Sequence, residues 1–304
     1  MKKLLLIDGN AIFHRAFHAL PLFQTSQGEY TNAVYGFVKM LFEIIKKEKP
    51  DYLACAFDHK DKTFRHHEFT EYKANRAEPP DELYPQLPRL FEVLKTFDIP
   101  IFQNPGFEAD DIIGTLSEQA EHKPDLKTVI LTGDKDAFQL VSSNTSVVMP
   151  KMGITQTLTF TPEEVKNKIG LTPEQIVDYK ALRGDASDNI PGVKGIGEKQ
   201  AVEMLQKYHT LDNIYKHLDE LTPAQQKKLT ENKEMAYLSQ KMATIIRDMP
   251  IHLDLAACHV HTLPAEPSRK IIQKLEFKSL LKPLEDLIKE NGKKKAKENQ
   301  PALF

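Results

Sequence analysis

The sequence predicts an α/β protein with a mostly parallel sheet flanked by helices, followed by a helical second region. In the first half, short and wholly apolar runs alternate with segments of helical periodicity, which is typical of strands that are buried on both faces of a parallel sheet. From residue 161 onwards, helix starts and helical patterns dominate. We therefore expect an α/β core over residues 1–184, a helical subdomain over 185–290 and a flexible lysine-rich tail over 291–304.

Three of the predicted strands are followed by an aspartate. They are Lys3–Ile7 before Asp8, Leu53–Phe57 before Asp58, and Thr128–Leu131 before Asp134. Parallel strands end at the same edge of a sheet, and open α/β sheets bind their ligands at that edge. We therefore expect the three aspartates to lie close together.

The remaining elements follow from periodicity and from turn residues. Thr161 and Thr172 each precede a proline, which is a strong helix start. The other predicted elements, in chain order, are helices at 31–47 and 87–97, a strand at 99–102, a helix that begins at Glu108–Asp111, a hairpin of Ser146–Met149 with Thr155–Phe160, helices at 198–208, 211–218, 223–231 and 234–246, and one or two helices between 267 and 290.

Carboxylates are unusually dense around these strand ends and helix starts. The nine acids concerned are Asp8, Asp58, Glu108, Asp110, Asp111, Asp134, Asp136, Asp185 and Asp188. Any one of them alone is explained as a helix cap, but nine of them in one pocket would repel each other. Divalent cations relieve this repulsion, and a site of oxygen ligands without His or Cys suits Mg²⁺ or Mn²⁺. We therefore predict two Mg²⁺ ions, with Mn²⁺ as a substitute.

The charge distribution fits a phosphate-bearing substrate. The chain has 41 basic and 43 acidic residues, and without the nine site acids the remainder is 41 basic against 34 acidic, a net charge of +7. Two cysteines indicate neither a disulfide framework nor a zinc site. No apolar run approaches the ~20 residues of a membrane span. We expect a cytoplasmic, nucleoid-associated protein.

Residues 60–80 alternate basic and aromatic side chains and end in Pro79–Pro80. This composition suits a surface that binds a nucleic acid strand, where cations contact phosphates and rings stack on bases. Asp61, Glu68 and Glu71 dilute its charge, so a solvated insertion explains the segment equally well. The sequence leaves both interpretations open.

The glycine-rich stretch at 192–201, GVKGIGEKQA, does not match the common nucleotide-binding motifs. Glu198 stands where a P-loop needs lysine, and no strand precedes the stretch. A hairpin between two helices remains, in which backbone N–H groups approach a phosphate at a helix start. Lys194 and Lys199 add positive charge beside it, although a tight interhelical turn without a ligand is the alternative.

Five segments in the same order resemble one family: LLLIDGN, AFDHKDKTFRHHEFTEYKANR, GFEADDIIGTL, LTGDKDAFQLV and LRGDASDNIPGVKGIGEKQA. They are similar to the bacterial 5′-3′ exonuclease and flap endonuclease family, as in the N-terminal 5′ nuclease domain of DNA polymerase I, from about Lys2 to Leu287. The resemblance implies a PIN-like sheet, a helical arch at about 60–84 and a helix-hairpin-helix (three-turn) element at 190–207. No polymerase portion accompanies these motifs, and the sequence leaves open whether this is a free-standing nuclease or a detached domain.

The resemblance also implies roles for individual residues. Asp8, Asp58, Glu108, Asp110, Asp111 and Asp134 correspond to the ligands of one metal ion or its surroundings, and Asp136, Asp185 and Asp188 to those of a second. The implied catalytic residues are Asp8, Asp58, Arg15, Lys73 and Arg76. The DNA contacts that it implies are Arg15, Lys73, Arg76, Lys194, Gly195, Gly197 and Lys199, with K⁺ at the hairpin. The basic and aromatic pattern of residues 60–80 adds Arg65 and Tyr72 to the expected DNA contacts.

The function expected from the sequence is Mg²⁺-dependent cleavage of DNA, and of RNA primers, near 5′ ends, nicks and 5′ flaps by a monomer. Two other classes compete with it. A phosphatase of the aspartyl-nucleophile type needs a second aspartate at position 10, where Asn10 stands. A non-catalytic junction binder would tolerate loss of the acids, and all nine are present. The terminal Gln300–Phe304 also resembles a short peptide that docks on the sliding clamp, although a linker stub explains it as well.

Overall fold

The computed structural model describes residues 1–151, 156–260 and 263–298, with side chains described as far as residue 290. The strands are β1 (Lys2–Asp8), β2 (Tyr52–Ala56), β3 (Ile101–Phe102), β4 (Leu126–Leu131), β5 (Thr145–Pro150) and β6 (Thr157–Phe160). The helices are α1 (Gly9–Ala19), α2 (Asn32–Glu48), α3 (Phe64–Glu68), α4 (Leu87–Thr96), α5 (Ala109–Glu121), α6 (Pro162–Ile169), α7 (Ile176–Arg183), α8 (Glu198–Tyr208), α9 (Leu211–Lys216), α10 (Pro223–Glu231), α11 (Lys233–Ala243), α12 (Ala265–Lys274) and α13 (Lys278–Glu298).

The six strands form one sheet in the order β3-β2-β1-β4-β5-β6. The first five run parallel, and β6 returns antiparallel to β5, which confirms the predicted fold class. Asp8 pairs with Ala56, and Ile7 with Leu131, so β1, β2 and β4 end at one level. That register places the residues that follow these strands at one edge of the sheet.

Apolar residues cover both faces of the sheet. Leu5 and Ile7 of β1 point to one face and pack in a cluster with residues of α1, α2, α4, α12 and α13. Leu4 and Leu6 point to the other face and pack with α5, α6 and the chain at 245–258. Because alternate residues of a strand face opposite sides, a wholly apolar strand needs a covering layer on each side.

The helical region has an apolar core of its own, built from α7 to α11. Leu171 and residues of α7 already belong to this core, so it begins before the predicted boundary at residue 184. None of the helices in the described chain is long and apolar enough to cross a membrane.

Two predicted segments differ in the structure. The helical arch predicted at 60–84 is helical only in the five residues of α3, and the chain continues in turns from residue 70 to 75. In the predicted flexible tail, residues 291–298 continue α13, since Lys, Ala and Glu are good helix formers. Residues 299–304 lie outside the described residues.

Candidate active site: a carboxylate cluster at the edge of the sheet

The strand-end aspartates are held by N–H groups at the starts of helical segments. Asp8 begins α1, where its Oδ1 accepts a hydrogen bond from the Ala11 N–H at 2.9 Å, and its Oδ2 accepts one from the Thr132 hydroxyl at 2.7 Å. The Asp58 carboxylate accepts from the Ala109 N–H at 2.8 Å. Asp134 begins a 3₁₀ turn over Lys135–Leu140 and accepts from the N–H of Asp136 at 2.9 Å. Capping therefore fixes three site acids.

The pKa values of these acids are affected by one another's charges. Burial raises the pKa of Asp8 to about 7 and outweighs the two hydrogen bonds that lower it, and the charges of Asp58 and Asp134 raise it further. Burial, together with Asp8 and Asp134, holds the pKa of Asp110 well above its usual range. The pKa values of Asp58 and Asp134 are also raised, chiefly by burial. Ionising all four at once is therefore unfavourable without an added cation.

Asp111 departs from its predicted role as a metal ligand. It is fully buried, and both of its oxygens accept hydrogen bonds from the Arg65 guanidinium at 2.7 Å. They also accept from the N–H groups of Glu108 and Ile246. With its acceptor sites turned to these donors, Asp111 anchors the start of α5 and does not join the carboxylate cluster.

Arg65 departs in the same way from its predicted contact with DNA. Its side chain is 3% exposed, and beyond Asp111 it donates to the carbonyl oxygens of Met242 and Thr244. With these partners, the N–H donors of the guanidinium form their hydrogen bonds inside the protein. Arg65 therefore ties α3 to the end of α11, away from solvent.

Glu108 lies at the junction between the sheet edge and the arch segment, which we define as residues 60–84. It is buried, and its Oε1 lies 2.9 Å from the Lys73 ammonium. Its Oε2 accepts a hydrogen bond from the Tyr72 hydroxyl at 3.1 Å. Glu108 also begins α5, sharing reciprocal hydrogen bonds with Asp111. Its position places one basic side chain of the arch segment directly over the cluster.

Asp188 receives the other basic side chain of the arch segment. Its carboxylate lies 2.6 Å from Arg76 and 4.0 Å from Lys73, and it accepts from the Tyr72 hydroxyl at 3.1 Å. Tyr72 is 3% exposed, so its ring is not available to stack on a base, and its predicted contact with DNA is revised to a hydrogen bond within the site. Lys73 and Arg76 do lie at the cluster.

Asp136 and Asp185 are held together by a lysine that we did not predict. The Lys180 ammonium contacts the Asp136 carboxylate and lies 2.5 Å from an oxygen of Asp185. Burial favours the neutral form of Asp185, but the lysine and the donors of Ser187 outweigh it and lower its pKa to about 2. A lysine among the apolar residues of α7, where its neighbours are buried, was the available signal in the sequence.

Arg15 lies on α1, about two turns beyond the cap at Asp8. It is partly exposed, and its guanidinium donates to the carbonyl oxygen of Lys151 at 3.3 Å. This contact connects α1 with the residue that follows β5. The position is compatible with the predicted phosphate contact.

The glycine hairpin joins α7 to α8. Gly195 has a φ of +85°, and its carbonyl oxygen accepts a hydrogen bond from the Lys228 ammonium of α10 at 2.7 Å. Gly197 precedes the first residue of α8, with an ordinary φ of −93° and open space around it. Lys194 and Lys199 are exposed on either side. The hairpin thus offers the free N–H groups of a helix start beside two exposed lysines.

The donor chemistry of the cluster fits a hard divalent cation. Its ligand atoms are carboxylate oxygens, and the acids at the strand ends have pKa values raised by burial and by one another. Among the described residues, no group of three or more His, Cys, Asp and Glu side chains is arranged to hold a metal ion as it stands. The acids that could take up a first ion after rotation of their side chains are Asp8, Asp58, Asp110 and Asp134, with Glu108 beside them, and those that could take up a second are Asp136, Asp185 and Asp188.

Two solved structures share this fold. The flap endonuclease D15 of bacteriophage T5, in a complex with DNA and metal ions, matches with a TM-score of 0.66 at 20% identity over 95% of this chain and 98% of its own. The catalytic core of Rad2 in complex with DNA matches with a TM-score of 0.60 at 17% identity over 94% of this chain and 92% of its own. Similarity at this level of identity shows a common fold.

Sequence comparison carries the assignment further. DNA polymerase I of Bacillus caldotenax is 45% identical over 297 residues, which are 97% of this chain and 34% of that protein. DNA polymerase I of Bacillus subtilis (strain 168) is 43% identical over 284 residues, 93% of this chain and 32% of that protein. The chain thus spans about a third of the length of these relatives. Two family models match, a 5′-3′ exonuclease N-terminal resolvase-like domain over residues 3–170 and a 5′-3′ exonuclease C-terminal SAM fold over 171–266. The chain belongs to the 5′-3′ exonuclease family.

Proposed function

We propose that this chain is a structure-specific nuclease that hydrolyses DNA phosphodiesters near 5′ ends and at 5′ flaps. The observation that carries the proposal is the position of Lys73 over the carboxylate cluster, at 2.9 Å from Glu108, with Arg76 beside it. Two basic side chains facing a group of acids suit a negatively charged substrate bound between them. The relatives named DNA polymerase I and the DNA complexes of T5 D15 and Rad2 support the same substrate class.

The proposed roles follow from the geometry. Asp8, Asp58, Asp110 and Asp134 would hold one Mg²⁺, and Asp136, Asp185 and Asp188 a second, after small rotations of their side chains. When bound, such a pair of ions activates a water molecule and stabilises the leaving oxygen of a phosphodiester. Mn²⁺ would substitute because it accepts the same oxygen ligands.

The chain's own cations would act on the substrate. Lys73 and Arg76 would turn from their carboxylates to the scissile phosphate, where a guanidinium matches two oxygens at once. Arg15 would contact a neighbouring phosphate from α1. The glycine hairpin, with Lys194 and Lys199, would bind the duplex through its phosphates, with K⁺ assisting there. Such contacts select junction shape and read no base sequence.

A labelled 5′-flap duplex tests this function. We expect cleavage near the junction with Mg²⁺ or Mn²⁺, leaving a 5′-phosphate, and none with a chelator. Asp134→Asn, which keeps the shape of the side chain, is the control and should bind the flap without cutting it. A flap with a 5′ RNA segment tests primer removal. Wild-type cleavage that persists in chelator would contradict metal dependence, and binding without cleavage under all conditions would leave a junction binder.

The sliding clamp is a second proposed partner. Gln300–Phe304 lies outside the described residues, so this proposal rests on its sequence alone. Burying two apolar side chains contributes roughly 3–6 kcal/mol before ordering costs, which is enough for weak binding. A labelled peptide of residues 291–304 should bind the clamp, and the same peptide with Leu303→Ala and Phe304→Ala should not. Equal binding by the two peptides would remove the proposal.

A further inference from the structure

The two groups of carboxylates differ in how the protein neutralises them. In the group at the strand ends, Asp8 and Asp58 accept hydrogen bonds from neutral donors, which are the N–H groups of Ala11 and Ala109 and the hydroxyl of Thr132. In the other group, Asp136 and Asp185 share one ammonium, and Asp188 is paired with Arg76. The first group therefore requires a cation from solution to balance its charge, whereas the second already has cations of the protein.

Lys180 is built into its place. Its side chain is 7% exposed, and it projects from α7, whose flanking residues Tyr179 and Ala181 are buried in the helical core. Its two partners come from different elements, Asp136 from the 3₁₀ turn after β4 and Asp185 from the loop after α7. A buried ammonium is retained where opposite charges compensate for its loss of water. Here two carboxylates do so, at the position where a second metal ion would bind.

We propose that the Lys180 ammonium occupies the position of the second divalent ion and has to be displaced before that ion binds. This inference rests on the proposed two-metal function and deepens it. The first ion then binds to free protein with the higher affinity. The second binds weakly until a DNA phosphate arrives, because the phosphate gives Lys180 another anion to contact and releases Asp136 and Asp185. Lys180 is in this sense a positioning residue that couples occupancy of the second position to substrate.

The charge balance supports the expected weakness of the second position. With Lys180 in place, Asp136 and Asp185 together carry a net charge of −1 instead of −2. A divalent ion that enters has to separate two close ion pairs, one of them at 2.5 Å. A tenfold change in affinity corresponds to about 1.4 kcal/mol, which is well within the range for one charge-assisted contact. Removing the ammonium while keeping the shape of its stem should therefore tighten binding of the second ion at least tenfold.

Titration of Mn²⁺ into DNA-free protein tests the inference without any cleavage assay. Calorimetry and the electron paramagnetic resonance of free Mn²⁺ should show one tight and one weak site in the wild type. In Lys180→Met the weak site should tighten about tenfold or more, and Asp185→Asn in that background should abolish the gain. Lys135→Met is the matched control, because it removes the same charge from an exposed side chain next to Asp136 and should leave both affinities unchanged.

Two results would overturn the inference. One is a wild-type protein that binds two Mn²⁺ ions with equal affinity, a measurement that needs no variant to fold. The other is a folded Lys180→Met protein, checked by circular dichroism, whose second affinity stays within twofold of the wild type. Either result leaves the nuclease proposal standing, since flap cleavage is measured separately. Conversely, loss of the nuclease proposal would not alter the order of Mn²⁺ affinities.

Discussion

A single carboxyl group, that of Asp8, makes the stability of the metal-free protein depend on pH. Its pKa is raised by burial from 3.8 to about 7 in the folded protein. The folded state therefore holds a proton that the unfolded chain has lost between about pH 4 and 7. Stability is then greatest below the unfolded pKa and falls as pH rises to about 7. At about 1.4 kcal/mol per pKa unit, the loss amounts to roughly 2–4 kcal/mol.

Asp8→Asn should remove most of this dependence. The amide oxygen still accepts from the Ala11 N–H, so the cap of α1 survives, while the charge that Asp58 and Asp134 repel is gone. In chelator at pH 7 we expect the variant to unfold at higher urea concentration than the wild type, and at pH 4 at about the same one. Flap cleavage should be lost. A wild-type midpoint that is constant from pH 4 to 7 would contradict the proposed origin of the effect.

The buried ion pair of Arg65 and Asp111 is a second feature at the residue scale. Arg65→Met should lower the free energy of unfolding by about 3–5 kcal/mol, because it leaves a buried carboxylate without its partner. Arg65→Met with Asp111→Leu should recover part of the loss. Urea denaturation measures both. If Arg65→Met instead leaves stability intact and weakens DNA binding, Arg65 is the DNA contact that the sequence suggested.

Sequence could identify acids at strand ends but not the partners of buried charges. Asp8, Asp58 and Asp134 could be predicted because each follows a largely apolar run, and the sheet register does place the ends of their strands at one edge. Arg65 and Tyr72 were assigned to DNA because a segment of basic and aromatic residues has the same sequence pattern whether its side chains face solvent or pack inward. Lys180 was missed because its partner Asp136 lies 44 residues away in the chain, although Asp185 is close in sequence. Such pairings depend on tertiary contacts, which no local pattern encodes.

At the scale of elements, the glycine hairpin contains two glycines, Gly195 and Gly197, that differ in backbone conformation and in the space around them. Gly195 has a positive φ and lies 3.1–3.4 Å, measured from a Cβ placed there, from the Lys228 side chain, so its substitution disturbs the turn itself. Gly197 has neither restriction. Any effect of a methyl group at Gly197 therefore reports what approaches the hairpin from outside.

Gly197→Ala should weaken duplex binding for every sequence alike while leaving the thermal midpoint within about 2 °C of the wild type. A backbone that a phosphate approaches closely has no room for the added methyl group. Fluorescence anisotropy over a range of salt concentrations measures the affinity for the duplex. In the same assay, Lys194→Ala should lower the dependence of binding on salt by up to about one counterion. Unchanged affinity in both would make the hairpin a plain interhelical turn.

The arch segment is the other element with a prediction. Lys73→Ala and Arg76→Ala should slow cleavage far more than they weaken flap binding, because cations at the scissile phosphate oppose charge that grows in the transition state. Single-turnover rates and anisotropy separate the two quantities. Lys60→Ala, at an exposed position of the same segment, is the matched control. Equal losses of rate and affinity would make the arch segment a simple binding surface.

At the scale of the whole molecule, the C-terminal helices complete the core that the first strand begins. Leu280, Leu284 and Leu287 of α13 belong to the same apolar cluster as Leu5 and Ile7 of β1. The family models end at residue 266, before most of this contribution. The matched family regions alone therefore lack part of the layer that covers this face of the sheet.

A chain ending at Pro264 should fail to fold. It loses seven buried apolar side chains, Ile271, Ile272, Leu275, Phe277, Leu280, Leu284 and Leu287. At about 1.5–3 kcal/mol each, their loss costs roughly 10–21 kcal/mol, which is as large as or larger than the ~5–15 kcal/mol by which a domain is usually stable. A chain ending at Glu290 retains all seven and should unfold at the same temperature as the full chain. Circular dichroism of both chains checks this, and a folded shorter chain would show that α12 and α13 are dispensable.

The acids that begin helices have a consequence for how this protein would decay in evolution. Asp8 and Asp134 each hold a helical turn through an oxygen that an asparagine side chain also has. Replacing either aspartate by asparagine would therefore abolish the proposed cleavage and leave the fold intact. A gene copy released from selection for cleavage but kept for recognising junctions would therefore drift to asparagine at these positions sooner than to alanine. Asparagine at both positions would therefore identify, from a genome sequence alone, a relative that recognises junctions without cleaving them.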